Sequence, residues 1–297
     1  MCIDLHTHSV YSDGTATPEE LIRMAASYDL KGFALTDHDT VEGVRKAMQL
    51  GLEHGVKVIS GLEVSARHGN NPVHILGYGI DPANRELERW LGKLQQGRAE
   101  RNRQIIEKLT GMGISVSNQE IEQLSRYGQT GRPHIARLLI KKGYVKNMNQ
   151  AFNIYLGRNK PAWCRRFAYS ATETIAIIHQ AGGVAVLAHP GSIDTSFKAQ
   201  PQIIRELAMR HLDGLEIYYP GHSRKTIKRL RGLARQHGLM GTGGSDYHGD
   251  NRVNGLAGNA VDFFCPPDSI MEELAARLHS LEMSPLNFDK PETGTSK

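Results

Sequence analysis

Short apolar runs alternate along this chain with stretches in which apolar positions recur every three or four residues, the pattern of strands interleaved with amphipathic helices. Runs at residues 2–8, 32–36, 57–60, 73–78, 183–188, 214–218 and 240–243 predict seven strands. The helix after the first is strongly signalled. Thr17 stands as N-cap, Pro18 at the first helical position and Glu20 three residues past the cap, with Leu21, Ile22, Met24 and Ala25 on the apolar face. Further helical periods fall at 41–54, 171–180, 200–211, 224–237 and 269–279. Such interleaving predicts an α/β fold, a barrel-like array of mostly parallel strands buried on both sides.

Between about residues 84 and 166 the strand pattern stops and only helical periods remain, at 84–109, 118–124, 132–142 and 149–156. The expected organisation is therefore a barrel from residues 1–96 and 167–283, a helical insertion domain at 97–166, and a frayed tail at 284–297 rich in Pro, Thr, Lys and Gly. The net charge of +5 hides an asymmetry that follows this division. Residues 97–166 hold 14 Lys or Arg against 4 Asp or Glu, and the remainder 22 against 27. A basic segment in a mildly acidic chain suits an anionic ligand, although a solvated basic face is the commoner reading of charge alone.

With 39% hydrophobic and 23% charged residues the chain is globular, which excludes a disordered or fibrous class. No apolar stretch approaches the roughly 20 residues that span a bilayer. The opening Met1-Cys2-Ile3-Asp4 carries no basic and apolar leader, so a cytoplasmic protein is expected. Cys2, Cys164 and Cys265 have no paired spacing and are expected to be reduced thiols, with neither a disulfide framework nor a cysteine zinc site.

Histidine changes the picture, because several of the 14 sit beside carboxylates at strand ends. In His6-Thr7-His8 the strand period of two puts both imidazoles on one face. Asp13 follows in a loop where Gly14 lets the backbone turn back toward them. Thr36-Asp37-His38-Asp39 ends the second strand, Gly61-Leu62-Glu63 the third, His74 begins or lies within the fourth, His189-Pro190 ends the fifth, and Ser245-Asp246-Tyr247-His248 follows the last. Strand ends of a β/α barrel share one rim, so His6, His8, Asp13, His38, Glu63, His74, His189, Asp246 and His248 converge on one pocket. Six imidazoles and three carboxylates exceed the needs of one four-coordinate ion and suit two or three divalent ions, with Glu63 as the bridging carboxylate. One such residue alone would more often cap a helix or tie a loop; nine on one rim reverse that balance. His54, His68, His179, His211, His237 and His279 lie on predicted helices or in a polar loop and are assigned nothing.

These motifs resemble, in order and spacing, those of the PHP (polymerase and histidinol phosphatase) family of metal-dependent phosphoesterases. The resemblance implies a distorted seven-stranded β/α barrel holding up to three manganese, iron or zinc ions. His6, His8, Glu63 and Asp246 would hold one, Asp13, His38 and His248 a second, and Glu63, His74 and His189 a third. Within the family, Gly131-Arg132-Pro133-His134-Ile135-Ala136-Arg137 with Tyr155-Leu156-Gly157-Arg158-Asn159-Lys160 is similar to a segment of the branch that hydrolyses nucleoside 3',5'-bisphosphates. Members of that branch also trim short RNAs from the 5' end. An Arg and a His at the positions of Arg132 and His134 contact substrate phosphate there.

From the residues themselves, Gly131 and Pro133 bracket a helix start whose free N–H groups, with Arg132 and His134, can face an anion. A helix cap with two solvated side chains is the competing reading. Arg158 and Lys160 are weaker candidates for the same clamp, and His222 for a hydrogen bond to phosphate or leaving group. Tyr127, Tyr155 or Trp163 could stack on bases. The expected activity is attack by a metal-bound hydroxide, since bound metal lowers the pKa of water from about 15.7 toward about 7. Asp13, His248, Arg132 and His134 carry the catalytic roles, and no Gly-x-Ser-x-Gly elbow offers a serine route. The expected substrate is a phosphorylated nucleotide, foremost the 3'-phosphate of a nucleoside 3',5'-bisphosphate such as pAp, then a short 5'-phosphorylated oligonucleotide. No membrane and no obligatory protein partner are indicated. A histidinol-phosphate type phosphatase and a non-catalytic metal-stabilised module are the alternatives.

Overall fold

The computed structural model describes residues 1–124, 129–249, 255–258 and 264–283. The expected stacking role of Tyr127 and the tail at 284–297 lie outside the described residues. Seven strands form one sheet in sequence order: β1 (Ile3–Thr7), β2 (Gly32–Leu35), β3 (Val58–His68), β4 (Asn71–Tyr78), β5 (Val184–Leu187), β6 (Gly214–Tyr218) and β7 (Met240–Gly243). On the barrel, helices α1 (Pro18–Ser27) and α2 (Val44–His54) follow the first two strands. Between β4 and β5 come α3 (Arg85–Gly111), α4 (Asn118–Leu124), α5 (Arg132–Lys141), α6 (Met148–Ala151) with a wider π turn at Phe152–Leu156, and α7 (Ala171–Gln180). The last are α8 (Gln200–Ala208), α9 (Arg224–His237) and α10 (Ile270–Met283).

The cap reading of α1 holds in detail. Glu20 N–H donates to Thr17 Oγ1 (3.2 Å) and Thr17 N–H donates to Glu20 Oε2 (2.7 Å), while Pro18, Leu21, Ile22 and Ala25 are buried. The expected mostly parallel array is present, with one strand reversed. Pairs β1/β2, β2/β3, β5/β6 and β6/β7 are parallel, but β4 runs antiparallel to both β3 and β5. The reason is the connection: Gly69 and Asn70 alone separate β3 from β4, with Gly69 at φ +57°, and two residues make a hairpin where a parallel return needs a crossover of a dozen or more. β3 is accordingly longer than the predicted 57–60, because Leu62, Val64 and Ala66 continue it as the inner half of that hairpin.

The first and last strands meet. His8 N–H donates to Tyr247 O (2.8 Å), and Gly244 passes so close that an added Cβ would lie 2.4 Å from His6 N and Cβ. This closure also overturns one cysteine expectation: Cys2 and Cys265 form a disulfide, with Cα atoms 4.9 Å apart. Ile3 N–H donates to Pro266 O (3.3 Å) beside it, so the edge of β1 brings together cysteines 263 residues apart, a relation that spacing does not reveal. Cys164 is a free buried thiol.

Two kinds of core result. Leu87, Leu91 and Leu94 of α3 pack on the barrel with Ile175, Ile178 and Leu187, whereas Ile105 and Leu109 of the same helix pack with Ile121, Ile135, Leu139 and Leu156 in a separate cluster. α3 thus runs unbroken through residues 96 and 97 and ties both cores together. Among the described residues, no helix is long and apolar enough to cross a membrane.

Candidate metal centre

All nine predicted residues converge at one end of the barrel. His6 projects from β1 and His8 directly follows it, His38 and Glu63 are bridged across the ends of β2 and β3, and His189, Asp246 and His248 follow β5 and β7. His74 arrives by a different route: because β4 is reversed, a residue near its start lies where the other strands end, opposite Ser65. Three non-glycine residues at this rim, Asp39, His189 and Asp246, hold left-handed φ values of +53°, +27° and +53°, strain of the kind that concentrates at functional sites. The loop that returns Asp13 is built by Asp37, which accepts from Ser9 N–H (2.7 Å), Ser9 Oγ (2.6 Å) and Ser12 Oγ (2.6 Å). Gly14 closes it, since a Cβ there would sit 2.2 Å from His8 O.

Glu63 is the hub. Its Oε2 lies 3.4 Å from His6 Nε2, 3.4 Å from His8 Nε2 and 2.8 Å from His38 Nδ1, and its Oε1 lies 2.8 Å from His74 Nδ1 and 3.0 Å from His189 Nε2. His8 Nε2 is 3.2 Å from Asp246 Oδ1, and His248 Nε2 is 3.3 Å from Asp13 Oδ1. Three overlapping groups have all donor atoms within 4.8 Å of one another: His6, His8, Glu63 and Asp246; His8, Asp13, His38 and His248; and His38, Glu63 and His74. Among the described residues, His6 Nε2, His8 Nε2, His38 Nδ1 and Glu63 Oε2 are buried without a partner in hydrogen-bond geometry. Buried orphans of this kind are costly unless something else meets them, and a mixed imidazole and carboxylate set at this spacing fits divalent ions.

The electrostatics agree. Burial works to raise the Glu63 carboxyl, yet His74, His38 and His6 outweigh it and hold it well below the usual range. Asp13 is likewise held low against burial by His248 and His38. Burial, with His248 beside it, drives the His8 imidazole down to about 3, and burial takes His74 down to about 4 despite Glu63. His8 and His74 are therefore neutral and offer lone pairs. His6 moves the other way: burial opposes its charge, but Glu216, Glu63 and Asp246 together raise it well above the ordinary value.

Glu216 is a residue the motifs did not single out. It is fully buried, its Oε1 faces His6 Nδ1 at 2.9 Å, and its Oε2 accepts from the His189 N–H at 2.6 Å. His248 Nδ1 faces Asp246 O (2.8 Å) and His189 Nδ1 faces Ser192 Oγ (2.9 Å), so in all three imidazoles Nε2 is turned toward the cluster.

Beside the cluster lies a cavity of about 420 Å³ with His74 in its wall. Its other walls include Arg67, Arg101, Arg132, Arg158, Arg165, Arg166 and Trp163. Arg132 starts α5, donates to Leu156 O (3.2 Å) and lies over the Phe152 ring, so it is anchored and not merely solvated. Arg101 is 4% exposed and its Nε has no hydrogen-bond partner among the described residues. Burial, then Arg166, Arg98 and Arg132, hold its pKa well below the usual guanidinium value. Asp39 supplies the counter-charge to this group: its Oδ2 lies 2.6 Å from Arg98 Nε and 3.3 Å from Arg166 Nη1.

Other expected contacts stand elsewhere. His134 is buried, with Nδ1 accepting the Gly131 N–H (3.1 Å) as a helix cap. His222 has both ring nitrogens on backbone, Nε2 accepting from Gly191 N–H (3.1 Å) and Nδ1 facing Ile217 O (3.0 Å). Lys160 is exposed and does not line the cavity. Arg98 and Arg101 were legible in principle: they fall on the α3 stripe of Leu91, Leu94 and Ile105, where a cation takes a place that the helical period reserves for an apolar residue.

The chain is 35% identical over 279 residues to the 3',5'-nucleoside bisphosphate phosphatase of Chromobacterium violaceum, covering 93% of this chain and 97% of that one. It is 34% identical over 252 residues to the 5'-3' exoribonuclease Rnm of Salmonella typhimurium, covering 82% and 84%. A solved structure described as a metal-dependent phosphoesterase of Bifidobacterium adolescentis superposes with a TM-score of 0.83 at 30% identity, covering 92% and 95%. Residues 4–222 match the PHP domain model, and the chain belongs to the PHP domain family.

Proposed function

We propose that this protein is a metal-dependent phosphoester hydrolase that removes the 3'-phosphate of nucleoside 3',5'-bisphosphates. One observation carries the reading: His74 belongs both to the metal-ligand cluster and to the wall of a cavity lined by guanidinium groups. A substrate with a phosphate at the cluster then has a second anion site beside it. The similarity to a nucleoside bisphosphate phosphatase over nearly the whole chain supports the same substrate class.

Two or three divalent ions, manganese, iron or zinc, would be held by the three overlapping groups, two of which include Glu63. When bound, they supply Lewis-acid polarisation of the phosphoryl oxygens and a lowered pKa for water. The protein does the rest. His8 and His74 would contribute neutral imidazole lone pairs beside the His38 ring, and Asp13 stays ionised in a buried setting. Arg101 and Arg132 bind the second phosphate by charge-assisted hydrogen bonds and so fix which ester lies at the cluster. His134 sets the start of α5, and with it the position of Arg132. Asp13→Asn or His248→Ala should abolish turnover and leave the circular dichroism of the folded protein unchanged.

A second reading, cleavage of short 5'-phosphorylated oligonucleotides, is favoured by the similarity to the Salmonella exoribonuclease and by the same guanidinium groups, which can follow a nucleotide backbone. The test is a hydrolysis panel with manganese: nucleoside 3',5'-bisphosphate, mononucleotides, histidinol phosphate and a 5'-phosphorylated oligonucleotide. Arg132→Ala should depress the bisphosphate far more than an aryl phosphate. Equal loss on both would refute the second-phosphate clamp, and a preference for histidinol phosphate would refute the nucleotide assignment.

A further inference from the structure

Trp163 is the aromatic member of a wall otherwise dominated by guanidinium groups, and that setting gives it a role. Trp163 lines the cavity and is only partly buried. No aromatic ring among the described residues stacks on it, and its indole N–H meets no protein acceptor among them. Its backbone, by contrast, is held firmly. Trp163 N–H donates to Lys160 O (2.9 Å), Lys108 Nζ donates to Trp163 O (2.9 Å), and the next residue, Cys164, is anchored in the core of the helical segment. A rigid stem carrying a part-buried indole on which no other ring stacks suits a preorganised stacking site, because a flat ligand covers such a ring without paying to order it.

The chemistry of the ligand then follows from the walls. Phosphates satisfy the cluster and the arginines but cannot cover an indole face. The part of the substrate left over must be flat, apolar on its faces and polar at its edges. We propose that Trp163 is the platform on which the substrate's nucleobase stacks, in the same cavity in which Arg101 and Arg132 take the second phosphate. Pro72 and Ala168 add apolar surface to that cavity, and Asn70 and Arg165 offer polar groups to a base edge. This rests on the nucleotide reading above and goes further by assigning the base its own contact, one that recognises a π face and tolerates any base.

The experiment uses two bisphosphates that differ past their phosphates, adenosine 3',5'-bisphosphate and the base-free propane-1,3-diyl bisphosphate, with the manganese-loaded enzyme. In W163A the ratio of kcat/KM for the first to that for the second falls about tenfold or more, the effect expected for losing one base–aromatic stack, and W163F restores most of it. An unchanged ratio overturns the platform and leaves the bisphosphate reading standing. A wild-type enzyme that hydrolyses both bisphosphates no faster than phenyl phosphate overturns both. Binding gives a readout free of turnover. The chain has two tryptophans, and Trp90 already stacks on Tyr169 at 4.0 Å, so W90F leaves Trp163 as the one indole reporter. Titration of W90F with the product adenosine 5'-monophosphate should quench its fluorescence saturably; emission unmoved by the nucleotide overturns the assignment.

Discussion

Glu216→Gln tests the metal centre without altering a candidate ligand. The carboxylate faces His6 Nδ1 at 2.9 Å and accepts the His189 N–H at 2.6 Å. Charge-assisted hydrogen bonds contribute about 1.5–3 kcal/mol against about 0.5–1.5 for neutral ones, so making both neutral weakens the pair by about 2 kcal/mol, near 30-fold in a dissociation constant. Geometry adds to this. A glutamine has one acceptor oxygen for two donors, and if it keeps the His189 N–H its amide donates to His6 Nδ1. That moves the His6 proton onto Nε2, the atom turned toward Glu63 and Asp246. One effect opposes: without Glu216 the His6 proton is easier to displace, because Glu216 leads the groups that overcome burial and raise this imidazole. That advantage fades as pH rises. Calorimetric titration of the metal-depleted protein with manganese should therefore show a 10–100-fold weaker site in E216Q, with a deficit larger at pH 9 than at pH 7. Affinity within twofold of wild type at both pH values, in a variant with wild-type circular dichroism, would refute the role assigned to Glu216.

Metal removal should lower Tm, and added manganese should raise it with concentration, by about 4 kcal/mol of stability at a thousand times Kd; a Tm indifferent to both chelator and manganese would count against the centre. Asp39→Ala strands the buried Arg98 and the part-buried Arg166 without their carboxylate and should cost about 3–5 kcal/mol in urea unfolding, Asp39→Asn less. Burial, with Arg137 beside it, pushes His134 down to about 4 from 6.5, so the fold favours its neutral form. Its contribution is complete above pH 6.5 and is lost as pH falls toward 4; His134→Gln should remove about 2–3 kcal/mol of the stability difference between pH 7 and pH 4.5, and unchanged pH dependence would contradict this. A reducing agent that opens the Cys2–Cys265 disulfide releases a loop of 263 residues, worth up to about 5 kcal/mol, and should lower Tm; Cys265→Ser should lower it equally and abolish the response to reductant.

Much of the centre was readable because its information is local. His6 and His8 share a face by the period of a strand, Asp246 and His248 stand two residues apart after another, and Thr17, Pro18 and Glu20 specify a helix start within four positions. Glu63 could be named as a hub from ligand arithmetic alone. These features depend on backbone periodicity and capping, which neighbours along the chain dictate.

What escaped depends on neighbours distant along the chain. The reversal of β4, which delivers His74 to the rim, follows from a two-residue hairpin whose glycine and asparagine carry a turn signal easily passed over inside a series of β/α units. Glu216 gains meaning only when β6 lies across from β1, Asp39 only when α3 brings Arg98 over it, and the Cys2–Cys265 bond only when the barrel closes. Burial decides each case: a carboxylate, a guanidinium or a thiol has an ordinary chemistry in water, and the partners that change it are chosen by packing between segments far apart in the chain.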